Sequence, residues 1–205
     1  MKKILLFFIM SLILFCSCNG CQKEEKLVVK QGTPMVVQNV ISTDKEAMYL
    51  ISKDYRWFET LILLNDYLDE ENDGSIAEVV NIFQAVRDYD GQSADVKVYK
   101  FQHLIDGVCL TDSIDGFWIE DVPIADTLTL IPYEKAYELI NEVNLPKPHS
   151  RHVCLRNPLG PISVNPQWVF GNIQSQIWVD AVTGDIKESN PAFPDGFKMP
   201  LGEWP

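Results

Sequence analysis

The sequence is poor in positive charge and in histidine. Its 205 residues include 17 lysines and arginines against 29 aspartates and glutamates, and only three histidines. The formal net charge of −12 repels phosphate backbones, which excludes nucleic acid from the expected partners. The same charge gives no electrostatic attraction to anionic lipid headgroups. Any association with a membrane therefore requires an apolar or lipid anchor.

The familiar catalytic and metal-binding motifs are also missing. The chain has no Gly-x-Ser-x-Gly elbow, no glycine-rich phosphate loop and no His-Glu-x-x-His motif. Asp69 to Val80 has calcium-loop spacing, but Val80 stands where a bidentate glutamate is needed. His149, His152 and Cys154 lie close together, yet no second cluster supplies further zinc ligands. We therefore predict no enzyme, no metal site and no bound cofactor.

No apolar segment has the length needed to cross a bilayer, which is about 20 residues. The longest, Ile4 to Phe15, follows Lys2 and Lys3 and precedes three closely spaced cysteines. A short apolar run between positive charges and small residues is typical of a secretory signal. Removal of this signal with its two lysines leaves 15 basic against 29 acidic residues, a net charge of −14.

The cysteines at the end of this segment make it resemble a bacterial lipoprotein signal. In that family, cleavage occurs before a cysteine that follows a small residue, and this cysteine carries the lipid. Cys18, after Ser17, is the first choice, whereas Cys16 follows a bulky phenylalanine. Cys21, after Gly20, is the alternative, because the acidic run that follows it is similar to the export tag of surface lipoproteins.

The resemblance predicts both the location of the protein and its attachment to a membrane by a lipid. We expect a signal peptide over residues 1–17, or alternatively 1–20, and a polar tether over residues 18–33. Several acyl chains on one cysteine would hold the protein firmly, whereas one chain binds only marginally. The expected location is the cell envelope, with a lipid anchor in the outer membrane. Lipidation at Cys21 would favour the cell surface.

Two cysteines, Cys109 and Cys154, remain in the body of the chain. Both lie in apolar surroundings that are typical of strands. Outside the inner membrane a disulfide is chemically permitted. We favour two buried free thiols and keep a disulfide as the alternative, because spacing alone does not show whether the Cα atoms come within reach.

The first half, residues 34–126, predicts a helix followed by an antiparallel meander. Met35 to Ile41 is rich in β-branched residues and predicts a strand. Apolar residues then recur at helical spacing, which predicts a helix from Ser42 or Thr43 to about Leu68. Turn signals after Gly74 separate further strands. These are expected at Ile76 to Val86, Val96 to Leu104, Val108 to Leu110 and Phe117 to Val122.

The second half, residues 127–189, repeats this plan in a shorter form. Pro132 suits the first turn of a helix that runs to Val143. Strands are expected at Arg151 to Arg156, Gln167 to Phe170 and Gln176 to Ala181, with Gly171-Asn172 as a tight hairpin. Lys45 to Ile51 aligns with Glu134 to Ile140 at an offset of 89 residues, which indicates a duplication. Residues 190–205 are expected to form a proline-rich tail.

Two segments of the second half resemble the PepSY family. Ile131 to Ile140 is similar to the opening helix of such a domain, and Gln176 to Ile186 is similar to its closing strand and turn. The resemblance implies an α+β fold of tandem helix-plus-antiparallel-sheet modules, the second PepSY-like. In the closing segment, Asp180 and Gly184 are expected to shape a turn rather than to catalyse a reaction.

The tryptophans are the remaining functional lead. Trp168 and Trp178 flank the predicted hairpin, where they either pack in the core, which we favour, or form an exposed aromatic face. We predict a non-catalytic protein that binds or inhibits another envelope protein. The PepSY resemblance implies a peptidase as partner. The alternative is a surface glycan-binding lipoprotein.

Overall fold

One antiparallel sheet runs through the structure, a computed structural model that describes residues 27–28, 35–89, 94–159, 165–172 and 175–188. Within these ranges it has nine strands. In chain order they are β1 (Leu27–Val28), β2 (Arg56–Leu64), β3 (Ile76–Tyr89), β4 (Ala94–Leu104), β5 (Val108–Asp115), β6 (His152–Arg156), β7 (Gln167–Asn172), β8 (Ser175–Asp180) and β9 (Ile186–Glu188). Their order across the sheet is β1-β5-β4-β3-β2-β6-β7-β8-β9.

Two helices, α1 (Val37–Ile51) and α2 (Tyr133–Glu142), pack on one face of this sheet. They share a single core with strands from both halves, and the residues at its centre are under 2% exposed. The central residues include Ile41, Met48, Ala136, Ile140, Ile62, Phe83, Leu155 and Phe170. The predicted α+β class is therefore confirmed.

The elements follow the same order twice. A helix precedes a four-stranded meander in each half, α1 before β2–β5 and α2 before β6–β9. The meanders meet where β2 pairs with β6. The helices start at residues 37 and 133 and these strands at 56 and 152, so both separations are 96 residues. The offset of 89 in the sequence alignment is seven residues smaller than these separations, which is close to two helical turns and therefore keeps the apolar positions in phase.

The first half differs from its prediction in two elements. The expected strand from Met35 to Ile41 is wrong, because α1 already begins at Val37. The helix expected to reach Leu68 ends at Ile51, and β2 follows it. Strand β2 is rich in aromatic and β-branched residues and lies between β3 and β6, so pairing on both sides outweighs its helical spacing.

Three smaller predictions also need correction. Phe117 to Val122 forms no strand and crosses the sheet instead. Leu27 and Val28 of the expected tether pair with β5 as β1. Gly171 and Asn172 belong to β7, where they face Gln176 and Ser175, so they are not the hairpin turn.

Local turn chemistry was predicted correctly. Asp180 Oδ1 accepts hydrogen bonds from the N–H groups of Val182 and Thr183, both at 2.9 Å. The N–H of Gly184 donates to the Asp180 carbonyl at 2.8 Å, and its φ of 82° suits glycine. Asp180 therefore shapes the turn into β9, as expected.

The predicted signal peptide, both lipidation candidates, Cys18 and Cys21, and the expected tail over residues 190–205 lie outside the described residues. No helix in the described ranges has the length and apolar character to span a membrane.

Candidate functional site

The helices cover one face of the sheet. The opposite face, which we call the second face, is covered by another part of the chain. The connection from β5 towards α2 crosses it, and we call residues 116–124 the strap. Trp118 of the strap packs against an apolar patch of the sheet formed by Leu61, Val80, Ile82 and Val98. These side chains alternate along their strands with residues of the helix-side core, which places them on the second face.

Hydrogen bonds donated by backbone N–H groups of the strap hold it at both ends. The N–H of Trp118 donates to Gln84 Oε1 at 2.8 Å. The N–H of Val122 donates to the Asn157 carbonyl at 2.8 Å, and the N–H of Ile124 donates to the Trp57 carbonyl at 2.7 Å. The strap is therefore a fitted element of the fold and not a loose connection.

A β-bulge brings a glutamate under the strap. Trp57 pairs with Phe83 and Glu59 pairs with Ile82, so Phe58 is an extra residue in β2. In a regular strand without the bulge, Glu59 would share a face with Trp57, two residues before it, and point to the helices. With it, Glu59 lies on the second face beside its cross-strand neighbour Arg156.

Glu59, Arg156 and Asp121 form a cluster of ionisable residues, which we call the strap cluster; both acids are buried and Arg156 is partly exposed. Arg156 donates to Oδ1 of Asp121 from Nε at 2.8 Å and from Nη2 at 2.7 Å. The Asp121 side chain is fully buried and Glu59 is 1% exposed. Glu59 Oε1 and Asp121 Oδ2 are buried without a hydrogen-bond partner among the described residues. Arg156 therefore bonds only Asp121 of the two acids, although Glu59 is its cross-strand neighbour, and each acid keeps one oxygen without a hydrogen bond.

Burial determines the protonation of this cluster. It raises the pKa of Glu59 to about 8, and the Asp121 carboxylate adds to this rise while Arg156 opposes it. Burial also raises the pKa of Asp121, although Arg156 lowers it, and so does the nearby Trp118 indole, whose N–H forms no hydrogen bond of good geometry with the carboxylate. Glu59 consequently carries a proton at neutral pH, which leaves Asp121 and Arg156 as the charged pair.

The outer side of the strap is apolar and exposed. Phe117 is 67% exposed and Ile119 is 77% exposed, with Val122 beyond them at 41%. Ile114, at the end of β5, is 64% exposed and continues the row. We call these four residues the ridge. Exposed apolar side chains grouped in one short segment of the chain are typical of interaction surfaces.

Acidic residues border the ridge. Asp112, Asp115 and Glu120 are all exposed and lie within two residues of a ridge member in sequence. Lys97 lies 3.0 Å from Asp115, whose side chain is 83% exposed. The surface therefore combines an apolar centre with a largely negative border.

A second buried polar cluster lies on the helix side, and we call it the helix cluster. Asp44 of α1 is 2% exposed, and Asn81 Nδ2 donates to its Oδ2 at 2.6 Å. His103 Nε2 lies 2.9 Å from both carboxylate oxygens, and Thr60 donates to Asn81 Oδ1 at 2.5 Å. Burial is the largest single influence and would lower the pKa of His103, but the hydrogen bonds to Asp44 and Cys109 and their charge interactions together outweigh it and raise the pKa to about 9.

Cys109 joins His103 and Asp44 in an arrangement that resembles a thiol-protease triad in composition only. Its Sγ lies 3.7 Å from His103 Nε2, the same nitrogen that contacts Asp44. A relay needs the nucleophile on one ring nitrogen and the acid on the other. Cys109 is also 4% exposed, so the geometry supports a structural ion pair.

The expected disulfide alternative is wrong, because Cys109 and Cys154 are both free thiols. Cys109 lies on β5 and faces the helices, whereas Cys154 lies on β6 and faces the strap cluster. Four strand spacings of about 4.8 Å separate β5 from β6, which is far beyond disulfide reach.

The alternative of an exposed aromatic face at Trp168 and Trp178 is also wrong. They are 1% and 3% exposed, and they lie on opposite faces of the sheet. Trp168 Nε1 donates to the Ile131 carbonyl at 2.8 Å, and Trp178 Nε1 donates to Gln176 Oε1 at 2.9 Å. Both indoles are core groups with their polar atoms satisfied, as the favoured interpretation expected.

The segments considered for metal binding have other contacts. Asn72 Oδ1 accepts from the Gly74 N–H at 2.6 Å and Asp73 Oδ1 from the Ser75 N–H at 2.8 Å, so they shape the loop. His149 lies 2.9 Å from Asp69 and stacks on Tyr67 with ring centroids 4.1 Å apart. In the part of the chain that the structure describes, no group of three or more potential ligands converges.

The sequence did not identify the strap cluster. Glu59, Asp121 and Arg156 are far apart in sequence, and Glu59 lies in a segment that was predicted to be helical. The signal that could have indicated it is a single acid among the aromatic and β-branched residues of β2. Comparison of the chain with protein-family models, curated proteins and solved structures gives no match. The geometry of the strap and ridge is therefore the clearest indication of function.

Proposed function

We propose that this chain is a lipid-anchored, non-catalytic protein of the bacterial cell envelope that binds another protein through the ridge. The observation that carries the proposal is the row of exposed apolar side chains from Ile114 to Val122. Its exposed members would lose unfavourable contact with water on binding, at roughly 25 cal/mol per Å² of buried apolar area. The strap is fixed on the sheet, so little ordering cost accompanies binding.

The border of the ridge predicts the chemistry of the partner. Asp112, Asp115 and Glu120 would face basic side chains around an apolar patch, and the chain's net charge of −12 favours encounter with a basic surface. The proposed partner is therefore a protein with an apolar patch bordered by lysines or arginines. Its association should slow as salt screens the border.

The repeated order of one helix and four strands supports the proposal of tandem modules over residues 34–126 and 127–189. The second remains PepSY-like in our interpretation, on the residues that carry the resemblance. That resemblance implies a peptidase, so an envelope peptidase with a basic border is the first partner to test.

Site-specific photocrosslinking tests the ridge directly. A photoreactive residue at Ile119 of the intact lipoprotein should capture one discrete envelope protein. Leu50 of α1 is 87% exposed and serves as the control, because it is equally apolar but lies away from the strap. The purified captured protein should bind the wild-type chain and lose at least tenfold in affinity for Ile119→Ser. Equal capture at both positions, or none at either, would contradict the proposal.

The anchor has its own test. Mass spectrometry of the mature N-terminus should find an acylated cysteine, at Cys18 in the favoured interpretation and at Cys21 in the alternative. Lipidation at Cys21 places the acidic run Gln22 to Glu25 beside the anchor, which supports surface export. An unmodified N-terminus would contradict the lipoprotein proposal.

Glycan binding is the second candidate, and one observation favours it. A shallow concavity of about 480 Å³ is lined by Lys45, Glu46, Tyr49, Leu50 and Tyr55, which combines aromatic and polar side chains. Trp57 lies beside it, with its ring 4.1 Å from Lys45 Nζ. Quenching of Trp57 fluorescence by an oligosaccharide, lost in Tyr49→Ala, would support it. No change across a broad panel of sugars would exclude it.

A further inference from the structure

The strap cluster is built so that one arginine has two acids within reach. Glu59 belongs to the sheet, where it is the cross-strand neighbour of Arg156. Asp121 belongs to the strap and receives both hydrogen bonds that Arg156 donates to the cluster. One oxygen of each acid is buried without a partner. These residues could also adopt a second arrangement, in which Arg156 bonds Glu59 of the sheet instead of Asp121 of the strap.

We propose that Arg156 exchanges Asp121 for Glu59 when Glu59 loses its proton to water, and that this exchange loosens the strap and the ridge it carries. While Glu59 is neutral, the cluster holds one positive and one negative charge. When Glu59 ionises, the same dry space holds two negative charges and one positive. Lifting the strap moves Asp121 into water and leaves Arg156 and Glu59 as a neutral pair, so repulsion drives the change.

Most of the charged groups around Glu59 favour its neutral form, which is the form in which the strap is closed. Asp121 and Glu120 on the strap disfavour its ionised form, and on β6 only Arg156 favours it. The Cys154 thiol is the other titratable group at Glu59, and burial raises its pKa, so it adds no charge at neutral pH. The strap is therefore held most firmly in mild acid and least firmly as pH rises through about 8.

The strength of closure should depend steeply on pH. With the pKa of Glu59 raised from 4.5 to about 8 in the closed form, the closed form binds more protons across that interval. Opening therefore becomes more favourable by up to about tenfold per pH unit between the two values. As a regulation of the ridge, the switch rests on the proposed function, and partner binding should weaken in the same pH range.

Thiol labelling of the full-length chain in detergent tests the exchange without any partner. Cys154 lies half-buried beside the strap cluster, and Cys109, buried on the opposite face, is the internal control. Labelling with N-ethylmaleimide is followed for each cysteine by peptide mass spectrometry. The matched variant is Glu59→Gln, which mimics the protonated acid. The Glu59 carboxylate helps to raise the pKa of the Cys154 thiol, so its removal in Glu59→Gln would by itself speed labelling, opposite to the effect expected from closure of the strap.

We expect Cys154 to be labelled more slowly in Glu59→Gln than in wild type, with a ratio that grows up to about tenfold per pH unit from pH 6 to pH 8. Cys109 should be labelled equally in both. A misfolded variant would be labelled faster and cannot mimic this result. Equal or faster labelling of Glu59→Gln at pH 8 overturns the proposal.

A second variant tests the opposite direction. Asp121→Ala removes the strap acid and leaves Arg156 to Glu59, so Cys154 should be labelled faster than in wild type already at pH 6. Unchanged labelling in this variant also overturns the exchange. Because no partner is present, failure of the photocrosslinking experiment would remove the proposed function and leave the labelling result standing.

Discussion

The two faces of the sheet each bury an acid, and they treat it differently. Asp44, under the helices, has both oxygens within 2.9 Å of a charged histidine, and its Oδ2 also accepts a hydrogen bond from the Asn81 side-chain amide. Glu59, under the strap, is equally buried and has an oxygen without a partner. A fully bonded buried charge fixes one arrangement, whereas an incompletely bonded one leaves an alternative close in free energy. The helix cluster therefore holds one fixed arrangement, and we call it a lock. The arrangement of the strap cluster depends on the protonation of Glu59, and we call it a switch.

Removing the acid of the helix cluster should have the largest effect. Asp44→Ala leaves the His103 ring and the Asn81 amide buried without their partner, and we expect a loss of about 3–5 kcal/mol of unfolding free energy. Urea denaturation measures it. The control is Asp126→Ala, which breaks the exposed pair with Lys45 and should cost under about 1 kcal/mol. If both variants lose the same stability, the helix cluster is not a lock.

Trp118 should have the next largest effect, because its indole covers the apolar patch of the second face. Trp118→Ala removes this cover, and since the side chain is only partly buried, we expect a loss of about 2–3 kcal/mol. Faster amide exchange confined to the strap would accompany it. An unchanged denaturation midpoint would show that the strap adds little to the packing.

The pH dependence of stability should separate the two clusters. The folded pKa of His103 is raised from 6.5 to about 9, so its contribution is complete below 6.5 and is lost as pH rises to 9. The raised pKa of Glu59 gives the same sign between 4.5 and about 8. Each slope is at most about 1.4 kcal/mol per pH unit. Glu59→Gln should flatten the lower interval and His103→Gln the upper, which denaturation from pH 5 to pH 9 would measure.

The smallest effect on stability should come from the ridge itself. Phe117→Ser changes an exposed side chain next to Trp118, and we expect a change within about 0.5 kcal/mol. Affinity for the captured partner should nevertheless fall by tenfold or more. A large loss of stability would mean that Phe117 supports the strap and would weaken its role as a contact residue.

Local signals in the sequence predicted much of the fold. Pro132 located the start of α2, and Asp106-Gly107 located the hairpin between β4 and β5, because these residues restrict the backbone directly. Strand β2 was mistaken for helix, since its leucines and isoleucine also fit a helical period. Only pairing with β3 and β6 decides its conformation.

The candidate site could not be predicted from the sequence, because strand pairing again decides its geometry. The bulge at Phe58 determines which face Glu59 occupies, and a one-residue shift would send it to the helices. The strap was expected to be a strand, so Asp121 had no predicted place beside Arg156. Residues 59, 121 and 156 meet only because β2 and β6 are adjacent and the strap crosses both.

Amide hydrogen exchange of the strap tests the central claim most directly. The N–H groups of Val122 and Ile124 report on the strap, and those in the middle of α1 report on the helix side. After correction for intrinsic rates, we expect the strap amides to lose protection relative to α1 between pH 6 and pH 8, and to keep it in Glu59→Gln. Parallel changes on both faces, or the same loss in the variant, would contradict the distinction between lock and switch.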